Sequence, residues 1–191
     1  MKTFDLGMAA AFLFCSTAIA GPQWPAALQK PVAATQRTAP ATSSGAVNTS
    51  RWKTYRNEKH GFELKYPATW RVNEGSGTGP EIIYIGSPYR AGAPHEAVTL
   101  AIQPNQNPKK RSISEWFAEK LQAVKSTPES KGSLTIGGQP AIFMENTNSF
   151  GKQRDTFMLL NETDVLSLGY TRQPRFDPTY AAIISSFRMV N

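Results

Sequence analysis

TYRNEKHGFELKYPATW, residues 54–70, is the stretch whose reading decides the fold, because its aromatics and charges suit either a binding surface or the first hairpin of a sheet. Phe62, Leu64 and Tyr66 alternate with Glu63 and Lys65, which is the two-residue period of a strand with one buried face. Residues 52–56 supply a partner strand, and residues 57–61, ending in Gly61, supply the turn. Pro67 ends the second strand and turns Trp70 back toward the core. The stretch therefore reads as a hairpin, with Trp70 as a structural residue.

Downstream, apolar runs at Glu81–Gly86, Ala97–Gln103, 134–136, 139–146, 156–160 and Val165–Thr171 are each bounded by Gly, Pro, Asn or Asp. They form a meander of antiparallel strands. Gly137-Gly138 can take the positive φ angles of a two-residue turn, and Asn161 to Asp164 close the next hairpin. Two helices interrupt the strands. Ser112 and Glu115 make a capping-box pattern ahead of Ile113, Trp116, Phe117, Leu121 and Val124 at helical spacing. Asp177 as N-cap and Pro178 in the first turn start a second helix carrying Tyr180, Ile183, Ile184 and Phe187 on one face. The order of elements predicts a single α+β domain over residues 51–191.

The start of the chain has a different character. Residues 1–20, MKTFDLGMAAAFLFCSTAIA, carry Lys2, an apolar run from Leu6 to Ile19, and Ala18 and Ala20 in an A-x-A pattern. They read as a secretory signal peptide cleaved after Ala20. The run is shorter than the roughly 20 residues that cross a bilayer, so no transmembrane segment is expected after cleavage. The only cysteine, Cys15, falls inside the signal, and the mature chain would have no disulfide framework. Residues 21–50 are rich in Ala, Pro, Thr and Ser and lack acidic residues; such a composition cannot offset its ordering entropy and predicts a disordered tether, with Trp24 as its one large aromatic.

The net charge is +7, and losing Lys2 and Asp5 with the signal leaves it unchanged. That surplus favours an anionic envelope protein, glycan or lipid headgroup, and export argues against nucleic acid. Lys109, Lys110 and Arg111 precede a helix N-terminus, where the dipole disfavours cations, so they read as there for something other than helix stability. With Arg172 and Arg175, near Tyr170 and Phe176, they are the candidate partner-binding residues.

Evidence for catalysis or a cofactor is thin. His60 and His95 are the only histidines, both in predicted loops, so neither a metal nor another cofactor is expected. Asn161, Glu162, Thr163 and Asp164 lack calcium-loop spacing and read as a turn. The GSGTG run, with Gly75, Gly77 and Gly79, leads into Pro80 and a strand rather than a helix, so it is a poor phosphate cradle, although a mobile loop there could close over a small ligand or metal ion. No serine sits in a G-x-S-x-G elbow.

Tyr55-Arg-Asn, the Gly61-Phe62-Glu-Leu-Lys-Tyr66-Pro67-Ala-Thr-Trp70 stretch, Gly138-Gln-Pro140-Ala141 and Ile184-Ser-Ser-Phe187 resemble, in this order, the PsbP-like family, which includes exported bacterial relatives of undefined role. The resemblance spans about residues 52–190. It implies an α/β/α sandwich, a mainly antiparallel sheet flanked by helices, acting as a binding or assembly module without catalysis. No functional residue carries over, and the fold leaves function open. The expectation is an exported, periplasmic or extracellular, monomeric, non-catalytic binding or accessory module of the bacterial cell envelope. The alternative is a small-ligand or metal-ion binder using the Gly75 to Gly79 loop.

Overall fold

The computed structural model describes residues 47–75, 80–88 and 96–190; the signal peptide, the tether through residue 46, most of the glycine loop and His95 lie outside the described residues. The fold is α+β, with mostly antiparallel sheet and two helices. Strands β1 (Lys53–Asn57) and β2 (Phe62–Tyr66) pair as the predicted hairpin, with Asn57 opposite Phe62. A short final strand, β10 (Arg188–Met189), adds to the other edge of β2. Glu63, expected on the solvent side, is buried because Arg188 Nε donates to its Oε1 at 2.6 Å, and a charge leaves water only with such a partner.

The larger sheet has seven strands in the order β3-β4-β5-β9-β8-β7-β6, every neighbouring pair antiparallel. Four of its strands, β4 (Glu81–Gly86), β5 (Ala97–Gln103), β7 (Gln139–Asn148) and β9 (Val165–Thr171), cover runs legible in the sequence. β6 (Ser130–Ile136) and β8 (Gly151–Leu159) start earlier than their apolar residues suggest, and β3 (Arg71–Gly75) is polar and nearly all exposed, as an edge strand can be. Gly137 and Gly138 have φ of 56° and 81°, the two successive positive angles of a tight hairpin turn. A side chain at Gly137 would come within 3.1 Å of the Arg188 backbone, so the turn also needs glycine for room.

Strand alternation sends two sets of side chains to opposite faces. One set, including Ile83, Ile85, Leu100, Ile102, Met158, Leu166 and Leu168, forms the main core with Phe62 and Leu64 of the small sheet and Tyr180 and Ile183 of helix α2 (Asp177–Ser185). Trp70 is buried there, with its ring edge-on to Tyr180 at 6.4 Å. Helix α2 begins one residue earlier than predicted: Phe176 is the N-cap and makes no side-chain cap bond. On the other face, Ile113, Trp116 and Phe117 of helix α1 (Ile113–Ala123) pack with Ile142, Met144 and Val165.

The capping box of α1 is present in both directions: Glu115 N donates to Ser112 Oγ at 3.3 Å, and Ser112 N donates to Glu115 Oε2 at 3.0 Å. Ser112→Ala is expected to lower stability by about 1 kcal/mol in urea unfolding monitored by Trp fluorescence; an unchanged midpoint would show that α1 is held by its apolar face alone.

Candidate functional site

The second half of β8 is apolar, but its first half, Gly151-Lys-Gln-Arg-Asp155, is polar, paired throughout with β7 and, from Gln153 on, with β9. Alternation puts Lys152 and Arg154 on the α2 face of the sheet, beside Glu145 of β7 and Tyr170 of β9. The ladder extends one step past β9, where Arg172 N donates to Lys152 O at 2.6 Å. Three cations therefore meet at one carboxylate. Glu145, whose side chain is only 7% exposed, receives Arg172 Nη1 at 3.0 Å, Lys152 Nζ at 3.2 Å and Arg154 Nη1 at 3.7 Å.

Two further contacts fix this corner. Arg172 also donates from Nη2 to Asp177 Oδ2 at 2.6 Å, which ties the end of β9 to the first turn of α2 and keeps the guanidinium firmly protonated. The Arg154 guanidinium lies 3.9 Å from the centre of the Phe143 ring. That ring covers Gly132 of β6 so closely that a Cβ there would sit 2.7 Å from it. Burial raises the pKa of the neighbouring Tyr170 hydroxyl above its ordinary value. The result is a set of cations held on paired strands with little conformational freedom left to lose on binding an anion.

Of the residues nominated from sequence, Arg172 belongs to this corner, and Arg175 lies just beyond it, its guanidinium 4.3 Å from the centre of the Phe176 ring. Lys109, Lys110 and Arg111 do not join them. Lys110 pairs with Glu162 in the turn that precedes β9, while Arg172 follows its last residue, so the seven-residue strand separates the two groups by roughly 20 Å. Lys109 and Arg111 both pair with Glu119 of α1, at 2.7 and 3.1 Å. These cations reach past the N-terminus of α1 to a carboxylate on its second turn, in exposed ion pairs of the kind that contribute little to stability.

The remaining sequence candidates are accounted for locally. His60 Nε2 lies 3.1 Å from Glu81 Oε2, which also receives Lys59 Nζ at 2.8 Å; Lys59 first, then His60 and Asn57, bring the Glu81 carboxyl down to about 2. Asn161 Oδ1 accepts from the backbone of Thr163 and Asp164, as its turn requires. Gly75 ends β3, and the rest of its loop lies outside the described residues. Among the described residues no group of three or more His, Cys, Asp or Glu could hold a metal ion, and no helix is long and apolar enough to cross a membrane.

Among solved structures, the solution structure of cyanobacterial PsbP (CyanoP) from Synechocystis sp. PCC 6803 aligns over 78% of this chain and 99% of its own, with 16% identity and a TM-score of 0.49. The chain is similar to a PsbP. A Bacteroides thetaiotaomicron VPI-5482 structure aligns over 73% of this chain and 48% of its own at 11% identity and a TM-score of 0.45. A protein of unknown function from Pseudomonas aeruginosa aligns over 71% and 94% at 15% identity and a TM-score of 0.43. No family model and no curated protein matches the sequence.

Lys152 and Arg154 escaped sequence reading because Gly151-Lys-Gln-Arg-Asp155 has no apolar alternation and passes for a loop. The available signal was the length of the neighbouring strands: β7 continues to Asn148, and a hairpin partner must match it.

Proposed function

We propose that this protein is a non-catalytic, exported binding or accessory module of the bacterial cell envelope that engages an anionic partner through Lys152, Arg154 and Arg172. The supporting observation is the convergence of three cations on the single, nearly buried carboxylate of Glu145. With Asp177 of α2 included, three positive charges face two negative ones, so the corner keeps a positive surplus. Arg175 extends the contact, and Lys109, Lys110 and Arg111 form a second one at the opposite end of β9. In this reading residues 1–20 direct export, residues 21–50 are a tether, and residues 51–191 are a monomeric domain layered helix, sheet, helix, with α1 and α2 on opposite faces of the large sheet.

The test compares wild type with two variants, Lys152→Gln/Arg154→Gln and Lys109→Gln/Lys110→Gln/Arg111→Gln. The probes are phosphatidylglycerol vesicles and immobilised polyglutamate. Wild type is expected to bind at low salt and to be released as the ionic strength rises past physiological, where exposed charges are screened beyond roughly 8 Å. The double variant should bind several-fold more weakly than the triple variant. Retention of the double variant equal to wild type on both probes would sink the assignment of the corner.

A further inference from the structure

Asp155 lies in the middle of the large sheet, on the face opposite the cationic corner, between Met144 of β7 and Gly169 of β9. Its residue is 6% exposed. Among the described residues none gives it a hydrogen bond or an ion pair, although buried carboxylates are as a rule paired or hydrogen-bonded. Burial alone pushes its carboxyl up to about 6, so at neutral pH the group is mostly an uncompensated anion. Its oxygens are nevertheless not sealed in. The side-chain polar atoms that are both sealed and unpartnered, among the described residues, are Thr156 Oγ1 and Asp177 Oδ1. The carboxylate therefore keeps slight contact with solvent.

The surroundings make room for the carboxylate itself. Gly169 stands directly opposite, and a Cβ there would fall 2.6 Å from Asp155 Oδ1, so the carboxylate occupies the space that any side chain at 169 would take. Across β9, on the same face, Thr99 pairs with Gly169 and Ala101 with Ser167, which makes a floor of small residues. One residue pair further along, Gln153 Nε2 donates to Thr171 Oγ1 at 2.5 Å. On the other side Met144 belongs to the apolar cluster under α1, with Leu121 packed against it. One wall is therefore apolar, the floor is small and partly hydroxylated, and the base carries a single negative charge.

We propose that Asp155, set among Gly169, Thr99 and Ser167, receives the ammonium or guanidinium group of a small organic cation. A metal ion fits less well, because it needs several ligands and no cluster of them exists among the described residues. A neutral ligand would leave the buried charge unpaired. The site is independent of the cationic corner, and either can stand without the other.

The experiment titrates the full chain with ethylammonium, putrescine and methylguanidinium chlorides, with sodium chloride at matched ionic strength as reference. The readouts are the side-chain carboxyl carbon resonance of Asp155 and the amide resonances of Thr99, Ser167 and Gly169. At least one probe is expected to give a saturable shift confined to these residues. Asp155→Asn should weaken its binding at least tenfold by removing the charge, and Gly169→Ala should do the same by displacing the carboxylate. Asp155→Asn keeps the shape of the side chain, so its result stands even where Gly169→Ala disturbs the sheet. Shifts no different from those with sodium chloride, or saturable binding that Asp155→Asn leaves intact, would overturn the proposal.

Discussion

Asp155→Asn is expected to stabilise the protein at neutral pH, by up to about 3 kcal/mol for a rise of about two pKa units at about 1.4 kcal/mol each. Burial raises the folded-state pKa above the unfolded value, so between about 4 and 6 the native chain holds a proton that the unfolded chain has lost. Stability falls as pH rises through that window. Below it both states are protonated and wild type suffers no penalty from Asp155; above it the full cost of the buried charge is present. The advantage of the variant should therefore be largest above about pH 6 and fade toward pH 4. Urea unfolding at a series of pH values measures this directly. A variant equal to or less stable than wild type at pH 7.5 would mean that the carboxylate is solvated in the folded chain. A gain in stability together with loss of cation binding would be the trade expected of a residue kept for binding.

Phe62→Ala carries the largest expected loss, about 3–5 kcal/mol. Phe62 is 0% exposed, stacks on Phe187 at 5.2 Å between ring centres and tilts against Tyr55 at 6.2 Å. Removing its ring opens a cavity where β2, β10 and the end of α2 meet, and none of these can collapse into it without breaking strand pairing. Phe150, 66% exposed in the β7–β8 turn, serves as the control, and Phe150→Ala should change stability by less than about 0.5 kcal/mol. A loss below about 1 kcal/mol for Phe62→Ala would show that the small sheet contributes little to the fold.

Where burial follows a period, the elements could be read from sequence: Phe62 and Leu64 in β2, Leu166 and Leu168 in β9, and the Ile113, Trp116 and Phe117 stripe of α1. The Gly137-Gly138 turn and the capping box could be read too, since each depends on local chemistry. What escaped depends on distant partners. β3 reads as loop because its hydrogen bonds come from β4, and Glu63 reads as exposed because its partner Arg188 is 125 residues away. Both candidate sites lie on the polar half of β8, where Lys152 and Arg154 point to one face and Asp155 to the other. Only the pairing with β7 and β9 fixes which charge meets Glu145 and which is left beside Gly169.

Of the elements described, the hairpin of β1 and β2 leaves the ribosome first, yet the strand that completes its sheet is Arg188–Met189. Until those residues emerge, Phe62 lacks Phe187 and Glu63 lacks Arg188. A two-stranded hairpin alone is marginal in water. Pairing β2 with β10 means closing a loop of nearly the whole domain, an entropic cost that can be met only late. The growing chain is thereby kept from finishing its core early, and truncation by even a few C-terminal residues should leave the beginning of the domain, not its end, as the segment most open to proteases.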